Sequence, residues 1–188
     1  MVLVIDTSGS MRGTLNDMAK KAAKLVIDTL TAVDYVTIVR YSDDASASSS
    51  TLEQATDANK IALKAWIDRN IDADGLTNFR AAFKKAWQVV DATTASSNCN
   101  RIMLFLSDGS HTVGSDWAPY DSQDVGATAK SYSPPMYLLT YGLGEGAKAD
   151  DLKAIACAGN GIYYSVTADT IANTMASYFQ VRIARLDG

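Results

Sequence analysis

Runs of consecutive apolar residues alternate with amphipathic segments along this chain, and this alternation is the strongest constraint on its fold. Residues 2–5, 102–106 and 136–141 are apolar at nearly every position. A strand with two apolar faces has to be covered on both sides, which is typical of parallel sheets flanked by helices. The pattern predicts a doubly wound α/β fold, with a mostly parallel central sheet of about six strands and helices on both faces.

The remaining elements follow from local patterns. Helices are predicted where apolar residues recur every three or four positions, in residues 14–30, 57–70, 79–90, 124–132, 150–158 and 167–186. Residues 35–41 and 162–166 predict strands, and residues 45–51 either a short edge strand or a loop. In the second helix, Asp57 is the expected N-cap, and Ile61, Ala65 and Trp66 are the expected core residues.

Composition narrows the class of protein. The chain has 188 residues, 47% of them hydrophobic and 20% charged, which is typical of one globular domain spanning residues 1–188. Its net charge of −4 and the lack of a basic cluster argue against nucleic-acid binding, and no apolar run is long enough to span a membrane. Because the chain opens directly into a strand, we interpret it as part of a longer protein.

The two cysteines leave two interpretations open. Cys99 and Cys157 are too few for a disulfide framework and are wrongly spaced for a zinc site. They could form one disulfide in an oxidising compartment, or they could be two small buried residues.

Polar oxygen-bearing side chains follow two of the apolar runs. Asp6, Ser8 and Ser10 come after the first run and alternate, so in an extended loop they project to one side. Asp108 follows another apolar run, and Thr77 lies in the loop before the most regular helix. Since the carboxyl ends of parallel strands meet at one edge, we expect these five residues to converge there. Carboxylates and hydroxyls suit a hard divalent cation.

These motifs resemble those of the von Willebrand factor A domains. Residues 6–10 match the DxSxS motif of that family, Thr77 its second-loop threonine, and Asp108 its third-loop aspartate. Residues 6–13, 139–144 and 152–161 are also similar to the A domain of voltage-gated calcium channel α2δ subunits. The resemblance covers essentially the whole chain and implies a Rossmann-like fold with a complete metal-ion-dependent adhesion site.

The resemblance also implies a function. The site would hold Mg²⁺ or Ca²⁺, with Mn²⁺ as a further candidate, and an Asp or Glu of a protein partner would complete the coordination. The expected protein is a non-enzymatic, cation-dependent binding module, extracellular or at the cell surface, as part of an α2δ-like or other adhesion protein.

The polar residues after the strands also have alternative interpretations. Asp6, Ser8 and Ser10 could merely cap a strand-to-helix turn, and Thr77 could be the N-cap before Asn78. A metal-dependent hydrolase or phosphotransferase would resemble haloacid dehalogenase-like phosphatases, which need a second acid two residues after the first, where this chain has Ser8.

Three further alternatives concern the rest of the chain. An intracellular scaffold is another possible role for this fold. Gly142, Gly144 and Gly146 only partly match a phosphate-binding loop. The single histidine, His111, is expected to face solvent or a partner, and Trp117 to contact a partner at the rim.

Overall fold

The first apolar run forms the central strand of a parallel sheet. The computed structural model describes residues 1–94, 100–113 and 121–175. Strand β1 (Val2–Asp6) pairs in parallel with β2 (Tyr35–Tyr41) on one side and with β5 (Arg101–Ser107) on the other. The sheet continues from β5 through β6 (Met136–Leu143) to β7 (Tyr163–Val166), again in parallel.

The strand order places a switch point beside β1. Strand β3 (Ala45–Ala47) is an antiparallel edge strand, and the short β4 (Glu53–Gln54) also pairs with β2. The order is β3-β2-β1-β5-β6-β7, so the chain builds outward from β1 in one direction and then returns to extend the sheet in the other. The carboxyl ends of β1 and β5 thus lie side by side, where α/β sheets bind their ligands.

Helices cover both faces of the sheet, as predicted. On one face, α1 (Thr14–Thr29) and α2 (Asp57–Asn70) share a core with Leu3 and Ile5. On the other face, α3 (Phe79–Ala92), α4 (Ser122–Ser131) and α5 (Ala149–Ala158) share a core with Val2 and Val4. The alternation of β1 side chains between two cores explains why this strand has no polar face. The predicted doubly wound α/β fold is confirmed.

Helix α2 corrects two details of the sequence interpretation. Its N-cap is Thr56, whose Oγ1 accepts the N–H of Asn59 at 3.2 Å, and not Asp57. Ile61 is 71% exposed, whereas Leu63 and Ile67 are buried. Ile61 and Ala65 have the same helical spacing as Leu63 and Ile67. Contact with the rest of the core therefore decides which of the two apolar stripes of α2 faces inward.

Smaller differences concern element ends and the predicted terminal helix. Strand β6 continues two residues beyond its predicted end, to Leu143. Residues 171–175 are helical, and Ile171 and Met175 are buried as expected; the rest of the predicted terminal helix lies outside the described residues.

The predictions for Cys99, Cys157 and Trp117 have different outcomes. Cys157 is exposed on α5, so the interpretation of this residue as buried is wrong. Cys99 and Trp117 lie outside the described residues. In the part of the chain that is described, no helix has the length and apolar character needed to span a bilayer.

Candidate metal centre

Asp6 is the last residue of β1 and the innermost of the predicted site residues. Its side chain is completely buried. Oδ1 accepts the backbone N–H of Ser8 at 2.8 Å, and Oδ2 accepts the hydroxyl of Ser107 at 2.5 Å. Because Ser107 ends β5, this second hydrogen bond ties together the carboxyl ends of two adjacent strands at the switch point.

The hydroxyl groups of Ser8 and Ser10 connect the first loop to Asp108. Ser10 donates its hydroxyl hydrogen to Oδ1 of Asp108 at 2.9 Å. Its oxygen lies 3.1 Å from Oγ of Ser8, and since the hydrogen of Ser10 is already used, Ser8 is the donor in that contact. Two segments about a hundred residues apart in sequence therefore meet through direct side-chain contacts.

The second loop, which carries Thr77, lies against the first through its backbone. The N–H of Gly9 donates to the carbonyl of Gly75 at 2.9 Å, and the N–H of Asp74 donates to the carbonyl of Thr7 at 2.8 Å. Thr77 is only 5% exposed. These bonds hold the loop beside the DxSxS segment.

Gly75 is required by the shape of the second loop. Its φ of +79° belongs to the left-handed region that favours glycine. A Cβ atom here would also lie 2.0 Å from Oδ2 of Asp43. The backbone of the second loop therefore passes close to the Asp43 carboxylate in a conformation that side-chain-bearing residues rarely adopt.

The acidic side chains of the site have no cationic partner among the described residues. Burial raises the pKa of Asp6, and the nearby charge of Asp108 adds to this effect, while hydrogen bonds from Ser107 and Ser8 oppose it. Among the described residues, no salt bridge involves Asp6 or Asp108. A buried carboxylate without a cationic partner is costly. A bound cation would remove that cost.

The donor set fits a hard divalent cation. The described residues contain no group of three or more His, Cys, Asp and Glu that could hold a metal, so a cation at this edge would depend on hydroxyl oxygens as well as carboxylates.

The hydroxyl of Tyr41 is buried with no hydrogen-bond partner in the described part of the chain. Burial raises its pKa well above the ordinary value, and the charge of Asp6 raises it further.

The capping roles considered for Asp6, Ser8 and Thr77 have different outcomes. Ser8 precedes the 3-10 turn Gly9–Met11 but its side chain makes no capping hydrogen bond. The N-cap of α3 is Asn78, whose Oδ1 accepts the N–H of Ala81 at 3.0 Å, so Thr77 does not serve as the cap. Asp6 does satisfy a local N–H, that of Ser8. Its side chain therefore shapes the turn, whereas those of Ser8 and Thr77 make no capping bond.

Sequence reasoning missed residues that support the site. Ser107 bonds to Asp6, and Thr7 donates both its N–H and its hydroxyl to the carbonyl of Tyr41. The sequence signal that could have identified Ser107 was a polar residue at the end of an apolar strand. His111 is partly buried and both ring nitrogens make hydrogen bonds, so the expectation of a solvent-facing side chain is wrong, whereas its expected position near a partner stays a prediction. This correction reflects a contact with α3 that no local pattern encodes.

The sequence of this chain is similar to those of known proteins. Residues 1–177 match the model of the von Willebrand factor type A domain, and the chain belongs to that family. It is 28% identical over 186 residues to the human voltage-dependent calcium channel subunit alpha-2/delta-3, a match that covers 93% of this chain and 16% of the relative. The chain thus spans about a sixth of that relative.

Solved structures share the fold. A von Willebrand factor type A protein from Catenulispora acidiphila superimposes with a TM-score of 0.78 and 23% identity, over 94% of this chain and 41% of that one. Proximal thread matrix protein 1 from the mussel byssus, solved with a zinc-occupied adhesion site, superimposes with a TM-score of 0.72 and 17% identity, over 94% and 43% of the two chains. The family assignment supports a protein-interaction module.

Proposed function

We propose that this domain binds a protein partner through a divalent cation. The ligands of the cation would be the oxygen-bearing side chains of Asp6, Ser8, Ser10, Thr77 and Asp108. The observation that carries the proposal is the buried Asp6 carboxylate, which has no cationic partner among the described residues and is linked through Ser8 and Ser10 to Asp108. A cation would neutralise this charge where the strand ends converge.

The balance of charge in the site favours completion by an acidic partner. Two carboxylates are the only anionic groups among the proposed ligands, and hydroxyls are neutral donors. A divalent cation held largely by neutral oxygens accepts a further hard anionic ligand readily. An Asp or Glu side chain of a protein partner would supply that ligand. Mg²⁺ and Ca²⁺ are the main candidates for the cation, and Mn²⁺ is a third.

The surface beside the site supports a protein contact. Leu76, adjacent to Thr77, is 54% exposed although its loop is held by backbone hydrogen bonds on both sides. Arg12 and Asp74 form an exposed ion pair in the same region. An apolar side chain held in place next to the cation would pack against the residues flanking the acid of the partner.

A catalytic role has less support from the site. The phosphatase mechanism considered from the sequence needs a second acid two residues after Asp6, and the residue there is Ser8, whose hydroxyl contacts Ser10. We therefore propose a non-catalytic binding module. By similarity to a channel subunit, we also propose an extracellular or cell-surface location, with residues 1–188 as one domain of a longer protein.

Calorimetry of the chelator-treated protein tests the metal site. Titration with Mg²⁺ or Ca²⁺ should release or absorb heat with a stoichiometry near one, and Asp6→Asn should abolish it because the buried carboxylate is lost. Asp68→Asn is the matched control, since Asp68 is an exposed acid on α2, paired with Lys24 of α1 away from the three loops of the site. Absence of binding of both ions to the wild-type protein would refute the proposal.

Partner binding is tested separately. A peptide ligand containing one Asp or Glu, selected against the Mg²⁺-loaded domain, should dissociate in chelator. It should also lose affinity when its acid is replaced by the corresponding amide. A selected ligand that binds equally well in chelator would argue against completion of the cation by the partner.

A further inference from the structure

We propose that Thr112 and His111 are positioning residues that hold the Thr77 segment against the loop of Asp108. The inference rests on the proposed metal site, because it explains how two of its three loops are kept in register. Neither residue is among the proposed ligands. Each acts by making hydrogen bonds to the backbone of the segment that carries Thr77.

Thr112 pairs with Thr77 through two hydrogen bonds. The N–H of Thr77 donates to Oγ1 of Thr112 at 2.9 Å, and the N–H of Thr112 donates to the carbonyl of Thr77 at 2.9 Å. Both backbone polar groups of Thr77 are therefore used by one residue of the third loop. The two bonds restrain the peptide units on either side of the Thr77 Cα atom, and so fix the position and orientation of this residue.

His111 holds the next turn of the same segment. Its Nδ1 accepts the N–H of Phe79, the first residue of α3, at 3.0 Å. Its Nε2 lies 2.6 Å from the carbonyl of Val113, which requires the hydrogen to be on Nε2 and leaves Nδ1 as the acceptor. The imidazole thus satisfies one of the free N–H groups at the start of a helix. Its ring also lies beside that of Phe79, with centroids 6.0 Å apart.

The third loop is itself held from the opposite side. The N–H of Lys148 donates to the carbonyl of Asp108 at 3.0 Å, and the N–H of His111 donates to Oδ2 of Asp151 at 3.3 Å. Residues 108–112 are therefore fixed to the start of α5 and, through His111 and Thr112, to the start of α3. They form a bridge between two helices.

The bridge matters because affinity for a cation depends on ligands being held in place before binding. Hydrogen bonds to groups behind the ligands supply this preorganisation in metal sites. Without the Thr112 hydroxyl, the N–H of Thr77 would lose its acceptor, and the peptide unit between Leu76 and Thr77 could rotate. We therefore expect the bridge to tune metal affinity more than overall stability.

Substitution of Thr112 gives the first test. Thr112→Val, in the full chain, should weaken Mg²⁺ or Ca²⁺ binding in calorimetry by roughly threefold to tenfold, the effect of one lost hydrogen bond. Thr112→Ser keeps the hydroxyl and should restore wild-type affinity. Thr93→Val is the matched control, because Oγ1 of Thr93 accepts the N–H of Leu52 at 2.9 Å at the far end of α3. It should lower stability without changing metal affinity.

Substitution of His111 gives the second test. His111→Ala should also weaken cation binding. His111→Asn should retain much of the affinity, because its side-chain oxygen can replace Nδ1 as the acceptor for Phe79.

Amide exchange provides a readout that needs no metal. In chelator-treated protein, hydrogen exchange by NMR should show slow exchange of the Thr77 and Phe79 amides in the wild type. Exchange of the Thr77 amide should be faster in Thr112→Val, and that of the Phe79 amide faster in His111→Ala. This distinguishes loss of the bridge from loss of the metal site.

The outcomes separate the two proposals. Unchanged affinity and unchanged protection of the Thr77 amide in Thr112→Val would overturn the inference, as would an equal loss of affinity in Thr93→Val. A wild-type protein that binds neither ion would refute the proposed function and, with it, the positioning role. Protected amides in that protein would identify the bridge as a purely structural contact.

Discussion

Burial shifts the pKa values of two titratable groups near the sheet edge in opposite directions. Burial raises the pKa of Asp6, because the charged form of a carboxyl group is the anion, and it lowers the pKa of His111, because the charged form of an imidazole is the cation. Both shifts favour the neutral form. For His111 this is the form that accepts the N–H of Phe79.

The lowered pKa of His111 predicts how stability depends on pH. The unfolded chain takes up a proton near the ordinary pKa of 6.5, and the folded chain does so only at lower pH. The unfolded state therefore binds more protons in this interval, and the free energy of unfolding should fall as the pH falls below about 6.5. Chemical denaturation of the chelator-treated protein at several pH values measures this slope.

The comparison with His111→Asn isolates that contribution. Asn cannot take up a proton in this range, yet it can accept the N–H of Phe79, so its slope below about pH 6.5 should be shallower than that of the wild type. Carboxyl groups, including Asp6, contribute equally to both proteins. Identical slopes would mean that the imidazole titrates with the same pKa in both states.

At the level of elements, α2 shows how tertiary contacts select one face of a helix. The stripe through Ile61 and Ala65 and the stripe through Leu63 and Ile67 both have a spacing of four residues. Lys64 forms an ion pair with Asp28 of α1, and Lys60 donates to the carbonyl of Leu30. These contacts orient α2 so that Ile67 is buried completely and Ile61 faces solvent.

The orientation of α2 predicts unequal effects of two identical substitutions. Ile67→Ala should lower the free energy of unfolding by about 2–5 kcal/mol, because it opens a cavity in the core. Ile61→Ala should change it by less than about 0.5 kcal/mol, because that side chain is largely exposed. Urea denaturation measures both. Equal losses would contradict the burial of Ile67 and the exposure of Ile61.

Across the whole molecule, the proposed site joins segments that are far apart in the chain. The first loop follows β1, the second precedes α3, and the third follows β5, and hydrogen bonds link the first to each of the others. The unfolded chain has no such arrangement. A cation that binds the site would therefore stabilise the entire fold by mass action.

Substitution of Gly75 tests this coupling. At about 100 times its Kd, Mg²⁺ should raise the free energy of unfolding of the wild-type protein by about 2.7 kcal/mol. Gly75→Ala should shrink the increment at the same concentration, because a residue with a Cβ atom is strained at a φ of +79° and the backbone of the second loop would change conformation. Gly146→Ala is the control, since a Cβ there meets no atom within 4 Å. Equal increments in all three proteins would contradict the coupling.

The predictability of the fold follows from which interactions are local. The parallel sheet was readable because β1, β5 and β6 are apolar on both faces, and α3 because its inward stripe is regular. The two-residue strand β4 was missed, because so short an element depends on pairing with β2 rather than on its own residues. The N-cap of α2 was displaced by one residue, since Thr56 and Asp57 are both good caps.

The sequence alone determined the class of fold and named the candidate ligands, because hydrophobic periodicity and the order of polar residues after strands are properties of the linear chain. Only the tertiary structure decided which groups support them. Ser107 reaches Asp6 because β5 lies beside β1, and Thr112 reaches Thr77 because residues 108–112 run back to the start of α3. These contacts span tens of residues along the chain. Their specificity comes from strand order and backbone geometry, which no local pattern encodes.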